Sequence, residues 1–368
     1  MTITIRARTL IGRELVPARV EFDQRIETVE RIEADEIQQM PVLAPGFIDV
    51  HVHGGAGADT MDGPDAVREM ARFHLRHGTT TLLATTVTNP LDRLEAALKG
   101  VAAVAAERAS DRANVIGAHL EGPFISPHRL GAQPPHPHPC DVKAFERLAA
   151  AAPIRAITLA PELPGAGELI ACALRWGARV SLGHTRATAR EAQDAFDRGA
   201  AAVTHLFNAM GGIQAREPGT AGAALADAGV WIELIADPEH LHAATIRLAA
   251  SAARTRLLLV TDAVRAAGMP AGRYDLGGLV VTSDGSSVRL EDGTVAGSLL
   301  TMDRGVRNLV ASGVPLPAAL DAASGAPARY LGLIDRGRIA PGSRADLALL
   351  GADLNLQEVF LAGKTVLS

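Results

Sequence analysis

Aromatic residues are scarce, at 3% of 368 positions, so a core must be assembled from Ala, Leu and Val rather than from ring stacking. Only two cysteines occur, Cys140 and Cys172, too few for a disulfide framework and not spaced as a zinc knuckle. There is no basic tract and the net charge is −5, so nucleic acid is not an expected partner. No stretch reaches the roughly 18 apolar residues of a membrane span. The N-terminal MTITIRARTLIGREL alternates like a strand and has no apolar centre of the signal-peptide kind. These absences lead us to expect a reduced, cytoplasmic setting without membrane attachment. What is present is a hydrophobic content of 48%, enough for one large barrel plus a small accessory domain.

The first 40 or so residues alternate apolar and polar side chains, which predicts short strands in a small sheet. From Gly46 the rhythm changes. Apolar runs at 47–53, 80–85, 115–120, 154–159, 179–183, 202–204, 231–235 and 257–261 alternate with helical stretches such as 65–76, 92–109 and 188–198. Eight βα units predict a (β/α)8 barrel, an α/β fold, over 46–334. Residues 335–368 return to short strands and are expected to join 1–45 in a small β-sandwich domain built by both chain ends. The proline-rich PPHPHP, 134–139, reads as a lid or a stiff connection.

Barrels of this kind gather their chemistry at the C-terminal ends of the strands. The first predicted strand ends in His51 and His53, whose i, i+2 spacing puts both imidazoles on one face. Glu121 stands at the tip of the third strand, His184 at the fifth, His205 at the sixth and Asp262 at the eighth. Each has an ordinary structural explanation. Glu121 and Asp262 could serve helix N-termini, His184 could cap a turn, and a lone histidine is often a core residue. Together, however, four imidazoles and two carboxylates on one rim are costly to bury without a compensating cation. Imidazole and carboxylate without thiolate suit zinc first, with iron, manganese or cobalt as alternatives. Such an ion points to hydrolysis, with Asp262 moving the proton.

The segments DVHVHGG, HLEGPFIS, GHT, THLFNAM, REPG, LLVTDAV and AGSLLTMD, in this order, resemble the N-acetylglucosamine-6-phosphate deacetylase family of the amidohydrolase superfamily. The likeness extends to the closing PGSRADLALL. It implies that Glu121, His184 and His205 hold the principal divalent ion. His51 and His53 would allow a second, with Glu121 bridging, so one or two ions per subunit. Asp262 would be general base and acid as an activated water attacks the acetamide carbonyl. The resemblance assigns Asn208, the backbone of Ala209, Arg216 and His240 to the substrate phosphate. It also implies a homodimer in which part of this group crosses the subunit boundary. The expected substrate is therefore a phosphorylated N-acetyl amino sugar, with the galacto epimer or a cyclic amide as alternatives. Two departures stand out. Gln133 replaces the usual histidine that contacts the sugar, and Asp237-Pro238-Glu239 replaces the usual Asp-Gly, putting an acid near the phosphate.

Overall fold

The computed structural model describes residues 2–367. Its centre is an eight-stranded parallel sheet wound into a barrel. The strands are Phe47–Val52, Thr79–Thr85, Asn114–Glu121, Ile154–Leu159, Arg179–Leu182, Ala202–Val203, Trp231–Ile235 and Leu257–Val260. They fall where the apolar runs predict them. Every residue of Phe47–Val52 and Thr79–Thr85 is buried, as expected of parallel strands covered on both faces. The return helices follow the predicted stretches, with one overrun. The helix expected over 92–109 is Leu91–Ala105, and residues 106–109 lie outside it. Local caps fix several helix starts. The Asp141 carboxylate accepts from Lys143 N at 2.8 Å, and Thr188 with Glu191 forms a reciprocal capping box.

The sheet does not close by a regular ladder. Seven strand pairs are zipped, and the eighth joint, between Leu257–Val260 and Phe47–Val52, is a seam. It is held by Asp262 N donating to His51 O at 2.9 Å and by His53 N and Gly54 N donating to Ala263 O. Below these, the buried Asp49 carboxylate accepts from Thr261 Oγ1 at 2.6 Å. The seam thus joins the strand carrying the His pair to the strand carrying Asp262.

The chain ends form one continuous seven-stranded sheet. It contains Ile3–Ile11, Glu14–Phe22, Ile26–Arg31, Val42–Pro45, Leu347–Leu350, Leu356–Leu361 and Lys364–Leu367. Phe22 and Phe360, on well-separated strands of this sheet, meet edge-to-face at 5.1 Å, so the sheet curls over its own core of Ala7, Val20, Leu43, Ile339 and Leu347. The two layers of the expected sandwich are therefore one folded-over sheet.

A second departure follows the eighth barrel strand. Gly272–Leu276, Leu279–Ser283 and Val288–Arg289 make a small antiparallel sheet before the helix Met302–Ala311. No helix among the described residues is long and apolar enough to cross a membrane.

Candidate metal centre and active site

All six residues at the predicted strand ends meet at the C-terminal mouth of the barrel. His184 Nε2 and His205 Nε2 lie 3.1 Å apart, at 3.3 and 3.1 Å from the same oxygen, Glu121 Oε1. His51 Nε2 and His53 Nε2 are 3.2 Å apart. His53 Nε2 is 3.2 Å from the other Glu121 oxygen and 3.0 Å from Asp262 Oδ1. Glu121 therefore stands between a His184/His205 side and a His51/His53/Asp262 side. All of these residues are buried.

The backbone explains why these side chains stop where they do. His184, His205 and Asp262 have φ of 48°, 29° and 50°, a left-handed conformation that non-glycine residues seldom adopt. Each turns the chain sharply out of its strand and aims its side chain across the mouth, a form of local strain common at functional sites. Gly183 lets the fifth strand end against its neighbours, because a Cβ there would fall 2.7 Å from Thr204 and 2.8 Å from Thr158. Gly297, at φ +62°, lets the AGSLL segment close over Asp262. Ser298 N then donates to Asp262 O at 2.9 Å, and Ser298 Oγ donates to Thr261 O at 2.6 Å.

The donor set fits a divalent cation. His184 donates Nδ1–H to Arg129 O at 2.9 Å, which leaves a lone pair on Nε2. That lone pair faces Glu121 Oε1 and His205 Nε2, so lone pairs confront one another unless a positive charge sits among them. Without an ion, only protons can supply that charge. Burial opposes charging His53, but Asp262 and Glu121 overcome it and raise the imidazole to about 9. Burial likewise pushes the Asp262 carboxyl up, yet His51 and His53 outweigh it and hold it at about 2. Glu121 is held well below the carboxylate range, with His51 and His184 overcoming its burial.

The mouth opens into a cavity of about 220 Å³ lined on one side by His53, Glu121, His184, His205 and Asp262. Gln133, Asn208, Ala209 and His240 form much of the other wall. Gln133 is buried and held at both ends: its Nε2 donates to Glu121 Oε2 at 2.5 Å and its Oε1 accepts from Thr88 N at 2.6 Å. Asn208 directs its Nδ2 to the carbonyls of His205 and Leu206, supporting the turn. Ala209, at φ 50°, makes no hydrogen bond through its N–H among the described residues. His240 donates Nδ1–H to Asp237 Oδ1 at 2.8 Å; burial opposes its protonation, but this bond raises its pKa above the usual value. His242, its neighbour in sequence, is exposed and caps the helix Ala243–Ala253 instead.

Arg216 and Glu239 stand apart from that wall. Arg216 is exposed, outside the cavity lining of this chain, and has no ion-pair partner among the described residues. Glu239, next to His240 in sequence, is not among the residues lining the cavity; it pairs with Arg289 Nη2 at 2.6 Å. The 134–139 loop is tethered, with His138 N donating to Pro123 O at 2.7 Å.

The sequence reading passes over several residues that the structure places here. Glu233, in the middle of the strand Trp231–Ile235, lies 3.1 Å from His51 Nδ1. The only hint is an acid inside an otherwise apolar run. His119 packs edge-on to His51 at 4.6 Å between ring centres. Leu276 and Thr294, from the added sheet and the loop after it, complete the cavity wall.

Comparison with known proteins agrees with this geometry. Residues 42–366 match the Amidohydrolase family. The chain is 40% identical to the N-acetylgalactosamine-6-phosphate deacetylase of Escherichia coli, covering 99% of each chain. It is also 40% identical to the N-acetylglucosamine-6-phosphate deacetylase of Bacillus subtilis, over 85% of this chain and 81% of that one. A solved mutant N-acetyl-D-glucosamine-6-phosphate deacetylase from Mycobacterium smegmatis, in complex with N-acetyl-D-glucosamine-6-phosphate, superposes with a TM-score of 0.92 at 35% identity, covering 100% of this chain and 99% of that chain. The chain belongs to the amidohydrolase family, in the branch formed by the N-acetylglucosamine-6-phosphate deacetylases and their relatives.

Proposed function

We propose that the protein hydrolyses the acetamide of N-acetylglucosamine 6-phosphate to glucosamine 6-phosphate and acetate. The observation that carries this reading is the cavity itself. A cluster fit for a divalent ion and a buried carboxylate line one side, and anion-binding donors line the other. Glu121, His184 and His205 would hold one ion, His51 and His53 a second, and zinc suits the donor set best. The ion supplies Lewis acidity that polarises the carbonyl and lowers the pKa of water.

The chain's own residues do the remainder. Asp262 is ionised and beside His53, so it can accept the proton of the attacking water and return it to the departing amine. The free N–H of Ala209 and a protonated His240 suit the phosphate, with Asn208 shaping the turn. Gln133 keeps one amide hydrogen free to meet a sugar hydroxyl. Arg216 sits on an exposed loop beside Ile213, an apolar residue 50% exposed. This favours a homodimer in which Arg216 reaches the phosphate in the cavity of the second subunit. The free thiols of Cys140 and Cys172 accord with a cytoplasmic enzyme.

Acetate release from N-acetylglucosamine 6-phosphate, its galacto epimer and the unphosphorylated sugar tests the reading, using protein whose bound metal has been counted. Turnover of the phosphorylated gluco sugar above the other two is expected. Preference for the galacto epimer would move the function to the alternative that the Escherichia coli relative represents. No release from any of them at full metal occupancy would overturn it.

A further inference from the structure

We propose that Glu233 is the positioning residue of the inner metal site: it fixes the His51 ring so that the Nε2 lone pair faces the ion. The inference rests on the reading that His51 and His53 hold a metal. Glu233 is 0% exposed and lies inside a strand whose other residues are Trp, Ile, Leu and Ile. A carboxylate there is costly unless hydrogen-bonded. Its one hydrogen-bond partner among the described residues is His51, Nδ1 to Oε2 at 3.1 Å, while Oε1 has none.

The other candidate partner is already committed. His119 packs against His51, but its Nδ1 is 3.0 Å from Val50 O and its Nε2 2.8 Å from Thr158 Oγ1. It therefore neither competes for Glu233 nor serves as a third ligand beside it. Where an ion, rather than a proton, sits among these groups, the His51 ring has one arrangement that satisfies both of its ends. Nδ1–H donates to Glu233, and Nε2 is bare toward Glu121, His53 and Asp262. The opposite tautomer would set a lone pair on Nδ1 against the carboxylate. Carboxylates behind metal-binding imidazoles fix the ring and raise its basicity, and removing them typically weakens metal affinity about 10- to 100-fold.

The test uses the full chain loaded with zinc. Ions per chain are counted under a graded competing chelator for the parent protein, Glu233→Gln, Glu233→Leu and His51→Asn. The His51 ring N–H is followed by NMR with labelled histidine. Two ions are expected in the parent. Glu233→Leu should release the second about 10- to 100-fold more readily while the first is kept, and its His51 Nδ1–H resonance should disappear. Glu233→Gln retains an acceptor oxygen and should restore most of the affinity, which a purely packing role would not distinguish from Leu. Undiminished retention of the second ion in Glu233→Leu, with two ions in the parent, would overturn the proposal alone. A parent that binds one ion, unaffected by His51→Asn, would instead overturn the reading of the His pair on which it stands.

Discussion

The two sides of Glu121 are built on different principles. On one side, His184 and His205 stand on residues that have just left their strands, in left-handed backbone, with His184 oriented by a main-chain carbonyl. On the other, His51 belongs to the strand itself, is 0% exposed, and is oriented by a side chain from a strand on the far side of the sheet order. The outer half depends on the shape of two turns. The inner half depends on the packing of the barrel. An ion on the outer side would accordingly be protected by loop geometry, and one on the inner side by the integrity of the core.

The largest change should come from the residue both halves share. Glu121→Ala is expected to remove the ion on the His184/His205 side, where no other carboxylate among the described residues pairs with the imidazoles, to weaken the other side, which keeps His51, His53 and Asp262, and to abolish acetate release. An ion count equal to the parent's in that variant would show that Glu121 is not shared by the two halves. Asp262→Asn should leave the outer ion in place and lower turnover about 10²- to 10⁴-fold, the usual range for a proton-transfer residue. Loss of metal instead of turnover would make Asp262 a ligand first. Next in size, His205→Ala should remove the outer ion and most activity, whereas His53→Ala should release one ion and leave a measurable rate. Equal loss in both would erase the distinction between outer and inner sites.

The smallest effect is on stability and concerns the inner side. His74 donates Nε2–H to Gly54 O at 2.9 Å, directly after His53, and burial lowers its pKa to about 4. The unfolded chain takes up this proton near its ordinary value of 6.5, and the folded chain resists until about 4. Between those values the unfolded state binds more protons, so stability falls as pH falls from 6.5 toward 4. The full loss is at most about 3 kcal/mol. Thermal unfolding of the parent and His74→Gln across this range should show the parent's steeper decline; parallel curves would remove His74 from the account.

The same contrast explains what the sequence discloses. The ionisable residues at strand tips are legible because a polar residue ending an apolar run breaks a pattern that one segment contains. The eight strands are legible for the same reason. Glu233 breaks its run too, but its partner is 182 residues away. Only closure of the barrel brings them together, so its meaning is not local. The sheet over 272–289 carries a readable signal, a Gly277-Gly278 turn between alternating segments. An expectation of a plain helix return conceals it. Arg216 is a different case: its place in a motif is local, but the residue stands exposed, outside the cavity lining of this chain.

The unzipped joint of the barrel bears on temperature. Strands bound by continuous ladders separate together, whereas a joint resting on a few bonds and the Asp49–Thr261 contact is the softest direction of the sheet. His51 and His53 stand on one lip of that joint and Asp262 on the other. Warming is therefore expected to widen the spacing of His51 and His53 from Asp262 before it loosens the fold, and heat inactivation is expected to begin at this cluster while the helices are still intact.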